Sequence, residues 1–118
     1  MITNYEDLSV YQKSYSLSVR IYKLSRTLPK HETYGIISQI SRAALSIPLN
    51  IAEGYGKRDS VAEFKRFLHM AKGSCDEMKV LIDFCTDVGY FDEKLKAELK
   101  IGYDEIGKML HGLLKNWQ

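Results

Sequence analysis

The sequence is poor in residues that interrupt or cross-link a chain, with only two prolines and two cysteines among its 118 residues. Pro29 and Pro48 leave long stretches rich in Leu, Ile, Ala, Lys and Glu, a composition that favours helices over strands. No apolar run approaches the roughly 20 residues of a membrane span, and no segment sustains the period-two alternation of a strand. The sequence therefore predicts an all-α protein with no membrane partner.

The two cysteines, Cys75 and Cys85, fall in one predicted helix. Ten residues of helical rise separate them by about 15 Å, which is beyond the reach of a disulfide. We expect both to be reduced and buried as small apolar residues. The N-terminus also lacks the basic and apolar regions of a signal peptide. Both features predict a reducing compartment and a cytoplasmic localisation.

Motifs that carry chemistry are missing. No histidine stands at a zinc-binding spacing from another histidine or from a cysteine, and no Glu-x-x-His pair of a di-iron bundle occurs. The segment around Gly54–Lys57 looks like a phosphate loop, but Ile51 and Arg58 occupy positions where that motif needs Gly and Ser or Thr. No G-x-S-x-G nucleophile motif is present. We expect a protein that is not an enzyme, with no catalytic residue, metal or cofactor.

Four segments show apolar residues at helical spacing. We predict one domain over residues 1–118, with helices at about 5–28, 34–55, 61–88 and 92–116. The connections between them are short, and short connections make successive helices antiparallel neighbours. The predicted fold is an antiparallel up-and-down four-helix bundle. In the first helix, the predicted core-facing seam consists of Val10, Ser14, Leu17, Ile21, Leu24 and Leu28.

Helix ends can also be read from the sequence. Ser60 and Glu63 match a capping box, in which each side chain bonds a free backbone N–H of the other residue. Asp92 is the predicted N-cap of the fourth helix. Gly54 and Gly56 are expected to stop the second helix and Gly89 the third. Pro48 lies within the second helix, whose periodicity continues through it.

Positive charge is concentrated in the first helix. No acidic residue lies between Leu8 and Lys30, whereas five basic residues do, namely Lys13, Arg20, Lys23, Arg26 and Lys30. This pattern favours an anionic partner, and we predict these residues as contacts to nucleic-acid phosphates, with Arg42 and Lys57 as weaker candidates. The alternative is an ordinary solvated helix face.

Two further stripes suit contacts beyond a single bundle. The first helix places tyrosines on a face of their own, and we predict a subunit interface formed by Tyr11, Tyr15 and Tyr22. The second helix carries a stripe of polar residues that we place opposite its isoleucine seam. The stripe consists of Gln39, Arg42, Ser46, Asn50 and Glu53. We predict that these residues form hydrogen bonds within the fold or across an interface, and the alternative is that they contact a ligand.

The stretch from Gln39 to Gly54, Q-I-S-R-A-A-L-S-I-P-L-N-I-A-E-G, resembles the signature of the 23S rRNA intervening-sequence protein family. The resemblance extends to L-S-V-Y-Q-K at residues 8–13, to F-K-R-F-L-H-M-A-K-G-S at residues 64–74 and to the last helix. It implies a small bundle that assembles into a homopentameric ring. The accessory variability determinant protein of diversity-generating retroelements is a relative. The resemblance thus also implies an adaptor that contacts nucleic acid and a reverse transcriptase and has no enzymatic activity.

Two functional hypotheses follow. The first is an oligomeric, non-enzymatic adaptor that binds RNA or DNA through phosphate contacts, without an element that reads bases. The alternative is a protein–protein interaction module whose basic stripe docks an acidic protein and which binds no nucleic acid. Binding that weakens steeply with salt would favour the first hypothesis.

Overall fold

Four long helices make up most of the chain in the computed structural model, which describes residues 2–118. Short 3-10 turns at Tyr5–Asp7 and Lys30–Glu32 precede the first and second of them. The helices are α1 (Ser9–Ser25), α2 (Ile36–Gly56), α3 (Val61–Asp87) and α4 (Glu93–Asn116).

The helices form the predicted up-and-down bundle, about 44 Å long and 24 × 21 Å in cross-section. Each helix packs against the next along the chain, and α1 also meets α4 to close the bundle. The centre is filled by large side chains that are almost fully buried, among them Ile47, Phe64, Met78 and Tyr103. In the described chain, none of the helices combines the length and the apolar character needed to cross a membrane.

The first helix is shorter than predicted at both ends. Residues 5–7 form a separate 3-10 turn, because the Asn4 side chain accepts a hydrogen bond from the Glu6 N–H (2.7 Å) and the Asp7 carboxylate accepts one from the Asn4 N–H (3.2 Å). Leu8 is extended, with φ −74° and ψ 123°. At its other end α1 stops at Ser25, four residues before Pro29.

The buried face of α1 differs in part from the predicted seam. Leu17 and Leu24 are only half-buried, and their place toward α2 is taken by Ser18 and Ser25. Their hydroxyls donate to the carbonyls of Tyr15 and Tyr22 in the preceding turn (both 2.7 Å), so neither is buried without a partner. Such short side chains let α1 and α2 approach closely. The predicted seam missed Ser18 and Ser25 because it followed the helical spacing of the leucines at positions 17, 24 and 28.

Helix α2 runs without a break through the buried Pro48 and ends at Gly56. The prediction that Gly54 stops this helix is wrong. Gly54 lies within the last turns of α2, where a Cβ atom would stand only 2.6 Å from Phe67 Cβ of α3. The glycine is therefore there for close helix packing.

The ends of α3 and α4 follow the prediction closely. Asp92 caps α4 by accepting from the Leu95 N–H (2.8 Å), and Gly89 takes the positive φ of 90° that follows the end of α3. Ser60 caps α3 by accepting from the Glu63 N–H (3.2 Å). The reciprocal half of the capping box does not form, because the Glu63 carboxylate accepts from the Arg66 guanidinium instead (2.9 Å).

Candidate nucleic-acid and assembly surfaces

The basic residues predicted in the first helix fall into two groups. Lys13 and Arg20 face α4, where Lys13 Nζ lies 2.7 Å from a Glu105 carboxylate oxygen and an Arg20 guanidinium nitrogen lies 2.7 Å from one of Glu98. These ion pairs bridge an open groove of about 640 Å³ between α1 and α4. The sequence could not show this, since the carboxylates belong to the far end of the chain.

The second group makes no ion pairs in the described chain, although Arg42 lines a cavity together with Glu77 of α3. Within residues 2–118 no ion pair involves any of Lys23, Arg26, Lys30 or Arg42. Between Ser9 and Ala52 the one acidic residue is Glu32, whose carboxylate accepts a hydrogen bond from the Tyr90 hydroxyl (2.7 Å). The face formed by α1 and α2 thus carries positive charge that its own helices do not compensate.

Lys57 lies apart from this face, just after the end of α2, with its ammonium 5.5 Å from the centre of the Phe67 ring. Two cations that the sequence reasoning did not select are its neighbours. The Arg58 guanidinium stacks 4.1 Å from the Tyr55 ring centre, and that of Arg66 lies 4.5 Å from the Phe67 ring centre. Acidic residues are interspersed here, since Glu63 pairs with Arg66. The charge of this corner is mixed.

The exposed tyrosines of α1 line a groove of about 410 Å³ between α1 and α2. Tyr15 and Tyr22 are 49% and 53% exposed, and Arg42 lines the same groove from α2. Arg26 donates to the Tyr22 hydroxyl (3.0 Å). The structure thereby joins two predicted sets, the tyrosine stripe and part of the cations. The remaining walls are Ser18, Val19, Ser41 and Leu45.

Tyr11, the third predicted interface tyrosine, is half-buried. Its ring stacks on Tyr15 at 5.9 Å and meets the edge of Tyr5 at 4.9 Å. Burial raises the pKa of its hydroxyl. Tyr11 thus supports the ring of Tyr15, and its part in a subunit interface stays a prediction. Leu49, which is 59% exposed, extends the apolar character along α2 and was not selected from the sequence.

The polar stripe of α2 does not lie opposite the isoleucine seam; its middle faces α3. The Ser46 hydroxyl hydrogen-bonds to the Ser74 hydroxyl across the two helices (2.6 Å), and the Asn50 amide donates to the Ser46 carbonyl (2.8 Å). Gln39, Arg42 and Glu53 are exposed. Ser46 and Asn50 therefore make bonds within the fold, while the other three remain available to a partner.

An apolar stripe on the outside of α3 was missed by the sequence reasoning. Val80, Phe84 and Val88 follow one another at four-residue spacing and are 66%, 49% and 47% exposed. Glu77 and Asp87 lie on the same exposed side of α3. The signal was present in the sequence as large apolar residues off the core-facing seam.

Both cysteine thiols and the hydroxyl of Tyr103 are buried. Burial raises the pKa of the Cys75 thiol to about 12 and that of Cys85 to about 11, so both are protonated at neutral pH. Burial also raises the pKa of the Tyr103 hydroxyl, which has no hydrogen-bond partner in the described part of the chain. Over residues 2–118, no three His, Cys, Asp or Glu side chains are grouped so that they could hold a metal ion.

The chain matches a family of known proteins along most of its length. The model of a family described as 23S rRNA-intervening sequence protein matches residues 6–112. The chain belongs to the 23S rRNA-intervening sequence protein family. The match includes both the Gln39–Gly54 stretch and all the surfaces described above.

A solved structure of the same architecture supports this membership. It is a protein of unknown function from the S23 ribosomal protein family of Bacteroides thetaiotaomicron, with a TM-score of 0.83 and 26% sequence identity. The similarity covers 91% of this chain and 96% of the other. No curated protein sequence matches significantly. Family membership thus gives the fold and leaves the function to be argued from the surfaces.

Proposed function

We propose that this protein is a non-enzymatic, self-associating adaptor that contacts the phosphates of RNA or DNA. The observation that supports this best is that Lys23, Arg26 and Lys30 form no ion pair with a carboxylate of the described chain. Cations bind phosphate with release of condensed counterions, so these three residues suit a polyanion such as RNA or DNA.

Affinity of this kind depends on charge more than on base sequence. Lys and Arg contacts to phosphate carry no sequence information. The sequence also contains no element that resembles a recognition helix for reading base edges. We therefore expect weak sequence preference and a steep loss of affinity between about 50 and 200 mM salt.

Charge reversal at Lys23 and Arg26 tests the phosphate contacts. The K23E/R26E variant should lower the affinity for a single-stranded RNA more than tenfold at low salt. A plot of the logarithm of the binding constant against the logarithm of the salt concentration should also become less steep, by about 0.7 for each phosphate that is no longer neutralised. A matched control is K94E/K108E, which reverses two exposed lysines of α4 that form no ion pair in the described chain. No binding by the wild type at low salt, or an equal loss in the control, would exclude this function.

Self-association is the second part of the proposal, and it rests on two surfaces that complement each other. The α1–α2 groove has mainly apolar walls, and the outer stripe of α3 is apolar too, so each can bury the other, whereas Arg42 and Glu77 share a cavity within one chain. Different surfaces that bind each other associate head to tail, and such contacts close into a ring when the rotation allows it. The homopentamer that the family resemblance implies is the assembly we propose.

Two variants that each break one surface test this arrangement. L45E places a charge in the groove and F84E places one on the stripe, and light scattering should find each as a monomer of 13.6 kDa. Mixed together, they should form a dimer through the surviving groove of one and the surviving stripe of the other. I101E, on the exposed side of α4, should keep the assembly of the wild type. A monomeric wild type at micromolar concentration would refute the ring.

A protein–protein module remains the second candidate, and the apolar walls of the α1–α2 groove favour it. Its partner would be an acidic protein, and a reverse transcriptase is the partner that the family resemblance suggests. Polyglutamate separates the two functions. If it binds as tightly as RNA of equal charge, with the same dependence on Lys23 and Arg26, an acidic protein becomes the better assignment.

A further inference from the structure

The groove between α1 and α4 has two chemically different walls. The α1 wall consists of hydrogen-bond donors and cations, namely Ser9, Gln12, Lys13, Ser16 and Arg20. The α4 wall offers Gly102 and Glu105, with Leu17 and Met109 completing the lining. Glu98 lies one turn before Gly102 on α4 and forms an ion pair with the guanidinium of Arg20. A surface rich in donors is thus faced by two carboxylates of the same chain.

These carboxylates occupy the positions that an anionic ligand would take. The oxygens of Glu105 and Glu98 lie 2.7 Å from Lys13 Nζ and from an Arg20 guanidinium nitrogen, which is the distance of a charge-assisted hydrogen bond. Lys13 and Arg20 are seven residues apart, which is about 10.5 Å along the helix. Two phosphates of one strand could occupy both positions.

Both ion pairs are also easy to open. The side chains are 38% and 52% exposed in one pair and 47% and 44% in the other. Exposed pairs of this kind contribute little to stability because water screens them and ordering two long side chains costs entropy. A polyanion can therefore replace the carboxylates, which then turn to solvent.

The groove is continuous with the surface of the proposed function. Arg20 and Lys23 are three residues apart and so are neighbours on the surface of α1, and Lys23 and Arg26 are related in the same way. A strand lying along α1 would meet Lys13, Arg20, Lys23 and Arg26 in turn. Glu98 and Glu105 mask the first two of these in the free protein.

We propose that the α1–α4 groove is a phosphate-binding surface whose cations are masked by Glu98 and Glu105, which act as built-in competitors of nucleic acid for Arg20 and Lys13. This inference rests on the proposed function, because it concerns the same ligand. It adds that binding is self-limited: the chain competes with its own ligand, so that only a polyanion reaching several cations at once displaces the two carboxylates.

Removing the two carboxylates tests the proposal. The E98Q/E105Q variant should bind a single-stranded RNA several-fold more tightly than the wild type, with a salt dependence steeper by about 0.7 in log–log slope for each cation freed. The K13Q/R20Q/E98Q/E105Q variant has the net charge of the wild type and should lose the whole gain. Circular dichroism and urea unfolding should show the wild-type fold in both.

The matched control is D59N/E93Q, which removes two exposed carboxylates away from the proposed surfaces that pair with no cation in the described chain. An equal gain in this control would assign the effect to net charge and overturn the inference, as would the absence of any gain in E98Q/E105Q. An equal gain for polyglutamate would reassign the groove to an acidic protein. If the wild type binds RNA and only the gain is missing, the proposed function stands. If no variant binds at low salt, both proposals fall.

Discussion

Helices α2 and α3 pack closely against each other, whereas α1 and α4 leave a groove between them. At the seam between α2 and α3, Gly54 admits Phe67 so closely that a single added carbon would stand 2.6 Å from its Cβ, and serines bond across the helices. At the seam between α1 and α4, the groove measures about 640 Å³ and two exposed ion pairs bridge it. The comparison teaches that close packing is concentrated between α2 and α3, while the seam between α1 and α4 is left open.

The largest effect is expected at Gly54. Its replacement by alanine puts Cβ against another Cβ, which cannot rotate away, so the helices must move apart. We expect G54A to lower the free energy of unfolding by about 1–3 kcal/mol, even though alanine favours helix. Urea unfolding followed by circular dichroism measures it.

Gly73 provides the control for this variant. It lies within α3 with nothing within 4 Å of an added Cβ, so G73A should raise stability by about 0.5–1 kcal/mol through helix propensity alone. If G54A were as stable as G73A, the tight seam would not be a determinant of the fold.

A smaller effect is expected for the serine pair of the same seam. The Ser46 and Ser74 hydroxyls are 2.6 Å apart and partly buried, so S46A and S74A should each destabilise the bundle, and a double-mutant cycle should give a coupling of about 0.5–1.5 kcal/mol. Additive losses would show that the two hydroxyls act independently. The close packing of α2 against α3 would then depend on Gly54 and not on this hydrogen bond.

The smallest effect is expected at the open seam. An added Cβ at Gly102 would stand 2.9 Å from Leu17 Cδ2, the mobile tip of a half-buried side chain beside the groove. Leu17 can turn into that space, so G102A should change the free energy of unfolding by less than about 1 kcal/mol. Thermal and urea unfolding measure it. A loss as large as that of G54A would mean that α1 and α4 pack as tightly as α2 and α3.

Much of the fold could be predicted because its signals are local. The helical period, the short connections, the Asp92 cap and the turn at Gly89 each involve residues only a few positions apart, and all are confirmed. The first helix was misjudged because Asn4 and Asp7 cap a turn of their own. The role of Gly54 was misjudged because its neighbour Phe67 is thirteen residues away, on another helix.

The candidate surfaces were predictable to a smaller extent. Lys23 and Arg26 could be selected from the sequence because the absence of nearby acids is visible along the chain, and Tyr15 and Tyr22 because they fall off the core-facing seam. Phe84 could have been selected by the same rule. Their use in binding and assembly stays a prediction.

The sequence by itself determined the four amphipathic helices, their order and the excess of positive charge in the first half of the chain, because periodicity and composition act locally. Only the tertiary structure decided which of those charges remain available. Folding brings Glu98 and Glu105 against Arg20 and Lys13 across 78 and 92 positions of sequence. A charge is neutralised by what lies within a few ångströms of it, and that distance is set by helix packing.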